Sequence, residues 1–199
     1  MIKFIDINKS DPYKKFINLY ERALNNNQRS TEAVSISSFN KSSNEVESRF
    51  VNLKYIKNEE WIFFSNYNSQ KAKNFKDHDQ VSALFYWRSI NIQIRIKAKI
   101  FKTSTYFSDE HFLSRSNEKN ALAVSSKQSD IIKSYKEVIS KYSYILDKYD
   151  QNMPRPDYWG GYSFIPYYFE FWEGHDSRLN KREAFKKKSG TWTSIFLEP

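Results

Sequence analysis

Cations standing at the ends of short elements are the chemistry this sequence offers most openly. In RFVNLKYIKNEEWIFFSNYNSQK (Arg49–Lys71), two short strands joined by a polar turn lead into a helix, with Arg49, Lys54 and Lys71 each at or near an element's end. Such a layout holds anions. Phosphate is commonly cradled by backbone N–H groups of a glycine-rich loop, yet the four glycines are Gly160, Gly161, Gly174 and Gly190, none of them in this stretch. A phosphate bound here is therefore expected to be held by side chains. Strict alternation puts Arg49 and Lys54 on opposite faces of one strand, so a bulge must intervene if both are to reach one ligand.

Other chemistries are poorly provided for. Without cysteine the chain has no disulfide, thiolate nucleophile or thiolate metal site. His78, His111 and His175 are the only histidines and no two share metal-ligand spacing, so no metal is expected. No serine lies in a nucleophile-elbow pattern, and Glu59 and Glu60 read as solvated turn carboxylates. An enzyme built from this chain is expected to draw its chemistry from an organic cofactor.

The elements that must position these residues fit one domain, residues 1–199, with an aromatic-rich core: 39% of residues are hydrophobic and 18% aromatic. A formal charge of +9 raises the question of nucleic acid. The lysines are scattered, however, and the densest run, KREAFKKK (Lys181–Lys188), reads as a solvated strand, so no nucleic-acid partner is expected. No apolar run is long enough for a signal peptide or a membrane span, and a cytoplasmic protein is expected.

Asp11 can cap a first helix with Pro12 at its first position and Phe16, Leu19, Tyr20 and Leu24 on one stripe. Ala33–Phe39, Ser48–Tyr55 and Trp61–Ser65 read as strands of a meander, and Ser69 as the cap of a short helix with Lys71 in its first turn. Val81–Trp87 is a continuous apolar strand. The clearest period-two signal is Ile90–Ile100, with Ile90, Ile92, Ile94, Ile96, Ala98 and Ile100 on one face and Gln93 among the polar residues opposite. Short helices are expected from Ser108 through Phe112 and at Asn117–Val124, and a long core-packed helix at Ser129–Tyr149. Strands return at Tyr162–Ile165, Tyr168–Trp172, Arg182–Lys187 and Thr191–Leu197. The outline is mainly β with flanking helices (α+β): a β barrel or strongly bent antiparallel sheet with helices to one side.

With these pieces assembled, the chain resembles the pyridoxamine 5'-phosphate oxidase family from Asp11-Pro12 to its end. The residues that carry the likeness are RFVNLK (Arg49–Lys54), FFSNYNSQKAK (Phe64–Lys73), the strand holding Gln93, SSKQS (Ser125–Ser129), YWGGY (Tyr158–Tyr162), EFW (Glu170–Trp172) and RLNKR (Arg178–Arg182). The resemblance implies an FMN-binding split β barrel, a homodimer with FMN in clefts at the subunit interface. It implies oxidation of pyridoxine or pyridoxamine 5'-phosphate to pyridoxal 5'-phosphate, with hydride passing to the flavin and molecular oxygen reoxidising it to release peroxide.

Position by position, the resemblance implies FMN contacts from Arg49, Phe50, Val51, Asn52, Leu53, Lys54, Phe64, Ser65, Gln70, Lys71, Gln93, Gln128, Ser129, Trp172 and Arg182. It implies that Lys54 and Arg115 hold the substrate phosphate and that Arg178 lies beside the pyridine ring, with His111, Lys119 and Asn180 at further substrate positions. Arg178 and Asn180 are the implied catalytic pair. Four residues depart from the family pattern: Gln70 replaces a phosphate-binding arginine, His111 a tyrosine, Lys119 a serine and Asn180 a histidine. The family's longer N-terminal arm over the substrate is also expected to be largely missing. Those departures keep open a same-fold flavin oxidase of the phenazine-biosynthesis type, or a protein that binds FMN or pyridoxal phosphate without turnover.

Overall fold

The computed structural model describes residues 1–149 and 153–199. Its first strand, β1 (Lys3–Ile5), precedes helix α1 (Asp11–Asn25), whose cap is Ser10, one residue before the expected Asp11. Four strands follow: β2 (Ala33–Asn40), β3 (Glu45–Asn52), β4 (Tyr55–Lys57) and β5 (Glu60–Asn66). Helix α2 (Gln70–Asp77) starts behind Ser69 as expected, and β6 (Gln80–Trp87) and β7 (Ile92–Lys102) complete the meander. Helices α3 (Thr105–Leu113), α4 (Asn117–Ser125) and α5 (Tyr135–Lys148) lead into β8 (Trp159–Glu173), β9 (Lys181–Lys188) and β10 (Thr191–Leu197).

Among the described residues the ten strands form one sheet, ordered β1-β4-β5-β8-β7-β6-β2-β3, with β9 and β10 branching from β8. The branch is made by one long strand. The first part of β8 pairs with β5, its last part with β9, and Tyr162–Glu173 with β7. Two separate strands were expected here. Their junction is a bulge instead: Lys97 pairs with Tyr168 and Ala98 with Pro166, so Tyr167 is skipped where proline can give no ladder N–H. Gly161 is a strand residue, and a Cβ there would meet Thr103 Cγ2 at 2.0 Å, so only glycine admits that close approach.

The alternation on β7 is realised, with Ile92, Ile94, Ile96, Ala98 and Ile100 all buried. Helix α1 lies on this core. Phe16 meets Trp61 edge-on at 4.5 Å and Phe85 at 5.5 Å, and Tyr13 meets Phe169 at 5.4 Å. Such pairs contribute about 0.5–1.5 kcal/mol each beyond the area they bury.

Three expected boundaries move, each for a local reason. The strand Ser48–Tyr55 breaks at Leu53 and Lys54, because Leu53 turns fully into the core and its N–H donates to the Glu32 carbonyl at 2.9 Å. The helix expected from Ser108 is capped by Ser104, whose Oγ accepts from the Phe107 N–H at 3.2 Å. The long helix begins only at Tyr135, since Ser129 has φ 79° and Ser134 is extended. No residue of α5 is fully buried; its stripe half-buries Tyr142, Ile145 and Leu146 against a small second cluster around Phe112 and Trp159, while Ile131 is wholly exposed.

Candidate active site

Strand β5 and the start of α2 fix the first cation. Lys71 is 9% exposed, and its Nζ donates to Ser65 Oγ at 3.3 Å, Ser69 Oγ at 3.3 Å and Gln128 Oε1 at 3.2 Å. All three partners are neutral oxygens. Burial, and then the nearby charge of Arg49, lower the Lys71 pKa from 10.5 to about 8. A buried ammonium that has no carboxylate partner among the described residues suits an anionic ligand.

The break after β3 brings Lys54, and not Arg49, to the cavity of Lys71; Arg49 turns to Ser38 and Glu47. Because Leu53 and Lys54 stand outside β3 and β4, Lys54 turns into a cavity of about 240 Å³ that also receives Phe50, Val51, Asn52, Phe64, Ser65, Lys71 and Gln128. Its other walls are His111, Arg115 and Trp159. Leu53, with its side chain in the core, does not line it.

A neighbouring cavity of about 450 Å³ shares Lys54, His111 and Arg115, and adds Lys3, Tyr55 and Lys119. Here His111 stacks on Phe64 with centroids 3.6 Å apart, and Trp159 lies parallel to it at 6.2 Å. Its Nδ1 is 2.9 Å from the Tyr55 hydroxyl. Burial, with the charges of Arg115, Lys54 and Lys3, lowers the His111 pKa to about 4, so the ring is neutral at neutral pH. The Arg115 guanidinium sits 4.4 Å over the Trp159 ring and donates through Nη2 to the Lys119 carbonyl at 2.7 Å. Its buried Nη1 has no hydrogen-bond partner among the described residues. An orphaned guanidinium nitrogen beside two lysines suits a phosphate oxygen.

The sequence of the chain has close relatives and its fold has known counterparts. A pyridoxine/pyridoxamine 5'-phosphate oxidase of Rippkaea orientalis is 34% identical over 191 residues, covering 95% of this chain and 90% of its own. The chain belongs to the pyridoxine/pyridoxamine 5'-phosphate oxidase family. It is an oxidoreductase of that family, and its sheet is the expected split β barrel with flanking helices. In fold it superposes on PhzG of Burkholderia lata, solved with tetrahydrophenazine-1-carboxylic acid, with a TM-score of 0.90 at 24% identity over 96% of this chain and 93% of that one. It also matches a pyridoxamine 5'-phosphate oxidase-related, FMN binding protein of Nostoc punctiforme, with a TM-score of 0.74 at 11% identity over 96% and 100%. The family model for the pyridoxine 5'-phosphate oxidase C-terminal dimerisation region matches residues 159–199.

Several of the expected site residues stay away from Lys71, and four of them, Trp172, Arg178, Asn180 and Arg182, lie in that region. Gln93, Trp172 and Arg182 form one row across β7, β8 and β9, by the pairings Gln93 with Trp172 and Trp172 with Arg182. Arg182 is engaged there: its Nε and Nη2 donate to Glu170 Oε1 at 3.0 and 2.8 Å, and Arg95 donates to Oε2 at 3.0 Å. Arg178 and Asn180 lie between β8 and β9; Asn180 Oδ1 accepts from the His175 N–H at 3.1 Å. Arg178 has φ 63°, and like Ser129 sits in the left-handed region that non-glycine residues rarely occupy. Ser129 lines a cleft of about 390 Å³ beside the main cavity, joined to it by Gln128. Gln70 also stands apart, its Nε2 donating to Asn74 Oδ1 at 3.2 Å.

Sequence reasoning missed Lys3, Tyr55 and Trp159 as cavity residues. Lys3 is placed by the short parallel pairing of β1 with β4, its N–H donating to the Lys54 carbonyl at 2.8 Å, and a three-residue strand leaves no periodic signal. Trp159, next to the expected Gly160-Gly161, was the most legible of the three.

The cofactor implied by the oxidase family fits these residues. Lys71 with Ser65 and Gln128 offers an ammonium, a hydroxyl and an amide to an anionic oxygen, and Phe64 supplies a flat apolar wall. Among the described residues no helix is long and apolar enough to cross a membrane.

Proposed function

We propose that this chain is an FMN-dependent oxidase that converts pyridoxamine or pyridoxine 5'-phosphate to pyridoxal 5'-phosphate, working in the cytoplasm as a homodimer. The observation that carries this reading is a pair of cations that have no carboxylate partner among the described residues, the buried Lys71 and the half-buried Arg115, on the walls of one cavity beside the Phe64–His111 ring stack. Two phosphates, one on the cofactor and one on the substrate, match two such cations. FMN, when bound, would accept the hydride from substrate and return the electrons to molecular oxygen, releasing peroxide.

The chain's own residues supply binding and orientation. Lys71, Ser65 and Gln128 hold the cofactor phosphate; Lys54, Arg115 and Lys119 hold that of the substrate. His111 stays neutral, shares a hydrogen bond between its Nδ1 and the Tyr55 hydroxyl, and offers the substrate end a polar ring that brings no further charge. Arg178 and Asn180 come from the dimerisation region, and with Gln93, Trp172 and Arg182 complete the cleft from the second subunit. Asn180 can orient substrate but cannot exchange a proton near neutral pH. Holding the reacting carbon against the flavin is then the main catalytic contribution of the protein.

The decisive test loads purified protein with FMN, removes oxygen, adds either vitamer phosphate and follows the visible flavin band. Bleaching, with recovery and pyridoxal phosphate formation on admitting air, is expected. A second reading, a same-fold oxidase of another substrate, is favoured by His111, Lys119 and Asn180 at substrate positions and would show FMN retention with a persistent band. A protein that binds without turnover would show the same with every reductant offered.

A further inference from the structure

Arg49 is the cation expected at the phosphate end of FMN, yet in this chain it already faces a carboxylate. Glu47 lies two residues earlier on β3, on the same face, and accepts from Arg49 Nη2 at 2.8 Å. That carboxylate is itself held in place: Asn40 Nδ2 donates to Oε1 at 3.0 Å and Asn74 Nδ2 to Oε2 at 3.2 Å. Arg49 Nη1 is engaged as well, donating to Ser38 Oγ at 2.7 Å, and Asn74 Nδ2 reaches the same hydroxyl at 3.1 Å. The two charged side chains are 21% and 30% exposed, so water screens the pair only in part.

The surroundings make that carboxylate consequential. Lys71 is near enough to Arg49 for the two charges to oppose each other, and its own partners are neutral. Gln70, standing where a second arginine is expected, turns to Asn74 and brings no charge. The phosphate end therefore has two cations and one fixed anion, and an arriving phosphate must share Arg49 with Glu47 at close range. Like charges so placed oppose binding, and more strongly where water is partly excluded.

We propose that Glu47 is a specificity-determining residue that competes with the FMN phosphate for Arg49, so that FMN is gripped chiefly through Lys71 and is preferred only weakly over the unphosphorylated flavin. The proposal rests on the cleft being an FMN site. Its device is an internal anion, held by Asn40 and Asn74, that lowers cofactor affinity without touching the flavin ring.

Glu47→Gln keeps the shape and removes the charge. FMN and riboflavin would be titrated into the apoprotein at fixed ionic strength, following flavin fluorescence. E47Q is expected to bind FMN roughly five- to tenfold more tightly, with riboflavin affinity unchanged. E47A, which also removes the carboxylate, is expected to shift FMN affinity in the same direction and guards against an effect peculiar to the glutamine. Unchanged or weaker FMN binding in both folded variants would overturn the proposal while leaving the cofactor site intact. An equal gain for riboflavin would overturn it too, since the phosphate would then be irrelevant. If wild type and variants, folded by circular dichroism, all fail to bind either flavin, the cofactor reading falls together with the proposal.

Discussion

The site is governed by two residues whose ionisation is set by burial. Lys71 has its charge opposed by Arg49 and is lowered to about 8, so a phosphate ligand meets the cation it needs only below that pH. Apparent FMN affinity is therefore expected to fall as pH rises through about 8. Lys71→Met should weaken FMN roughly ten- to a hundredfold, the loss of a charge-assisted bond, and flatten that pH dependence; unchanged affinity by fluorescence titration would remove Lys71 from the cofactor site. His111 works in the other pH range. Its folded value of about 4 lies below its ordinary 6.5, so the unfolded chain takes up a proton first. Stability that is fully present above pH 6.5 is then lost as pH falls toward 4, by about 2 kcal/mol after allowing for residual solvent. Urea melts at pH 7 and pH 4 should show this loss in wild type and not in His111→Tyr. Equal losses in both proteins would place the titration elsewhere.

At the scale of elements, the break between β3 and β4 matters most, because it turns Lys54 toward the same cavity as Lys71. It is pinned by Leu53, which is fully buried. Leu53→Ala is expected to cost roughly 2–5 kcal/mol in a denaturant melt and to raise the KM for vitamer phosphate through a loosened Lys54. A stable variant with normal KM would show that the break holds without its anchor. Strand β7 was readable because alternation over eleven residues has one solution when one face is buried. The helix read as Ser129–Tyr149 was misjudged because three-four spacing signals an apolar stripe without saying how much surface will cover it. The expected caps, Asp11 at α1 and Ser108 at α3, were off by one and four residues, with Ser10 and Ser104 in the role, since neighbouring polar residues offer similar caps and packing decides between them.

For the whole molecule, the expected site residues fall into two groups that one chain keeps apart: the Lys71 cavity, and the residues of the C-terminal half that include Trp172, Arg178 and Arg182. If two chains build each cleft, Lys71→Met and Arg178→Ala should each be nearly inactive alone. Mixed and reassembled, they should recover about a quarter of wild-type activity, because half of the dimers would carry one fully native site. No recovery, with mixed dimers confirmed by tagged pull-down, would place both groups in one subunit. The sequence alone determined the residue types, the strand-rich core and the family, because spacing within a segment survives as a pattern. Tertiary structure decided what faces what: that Lys54 turns inward, that Lys3 and Tyr55 line a cavity with His111 and Arg115, that Glu47 holds Arg49 and that Glu170 holds Arg182. Those outcomes depend on strand breaks and on pairings between distant segments, and a linear pattern carries no record of either.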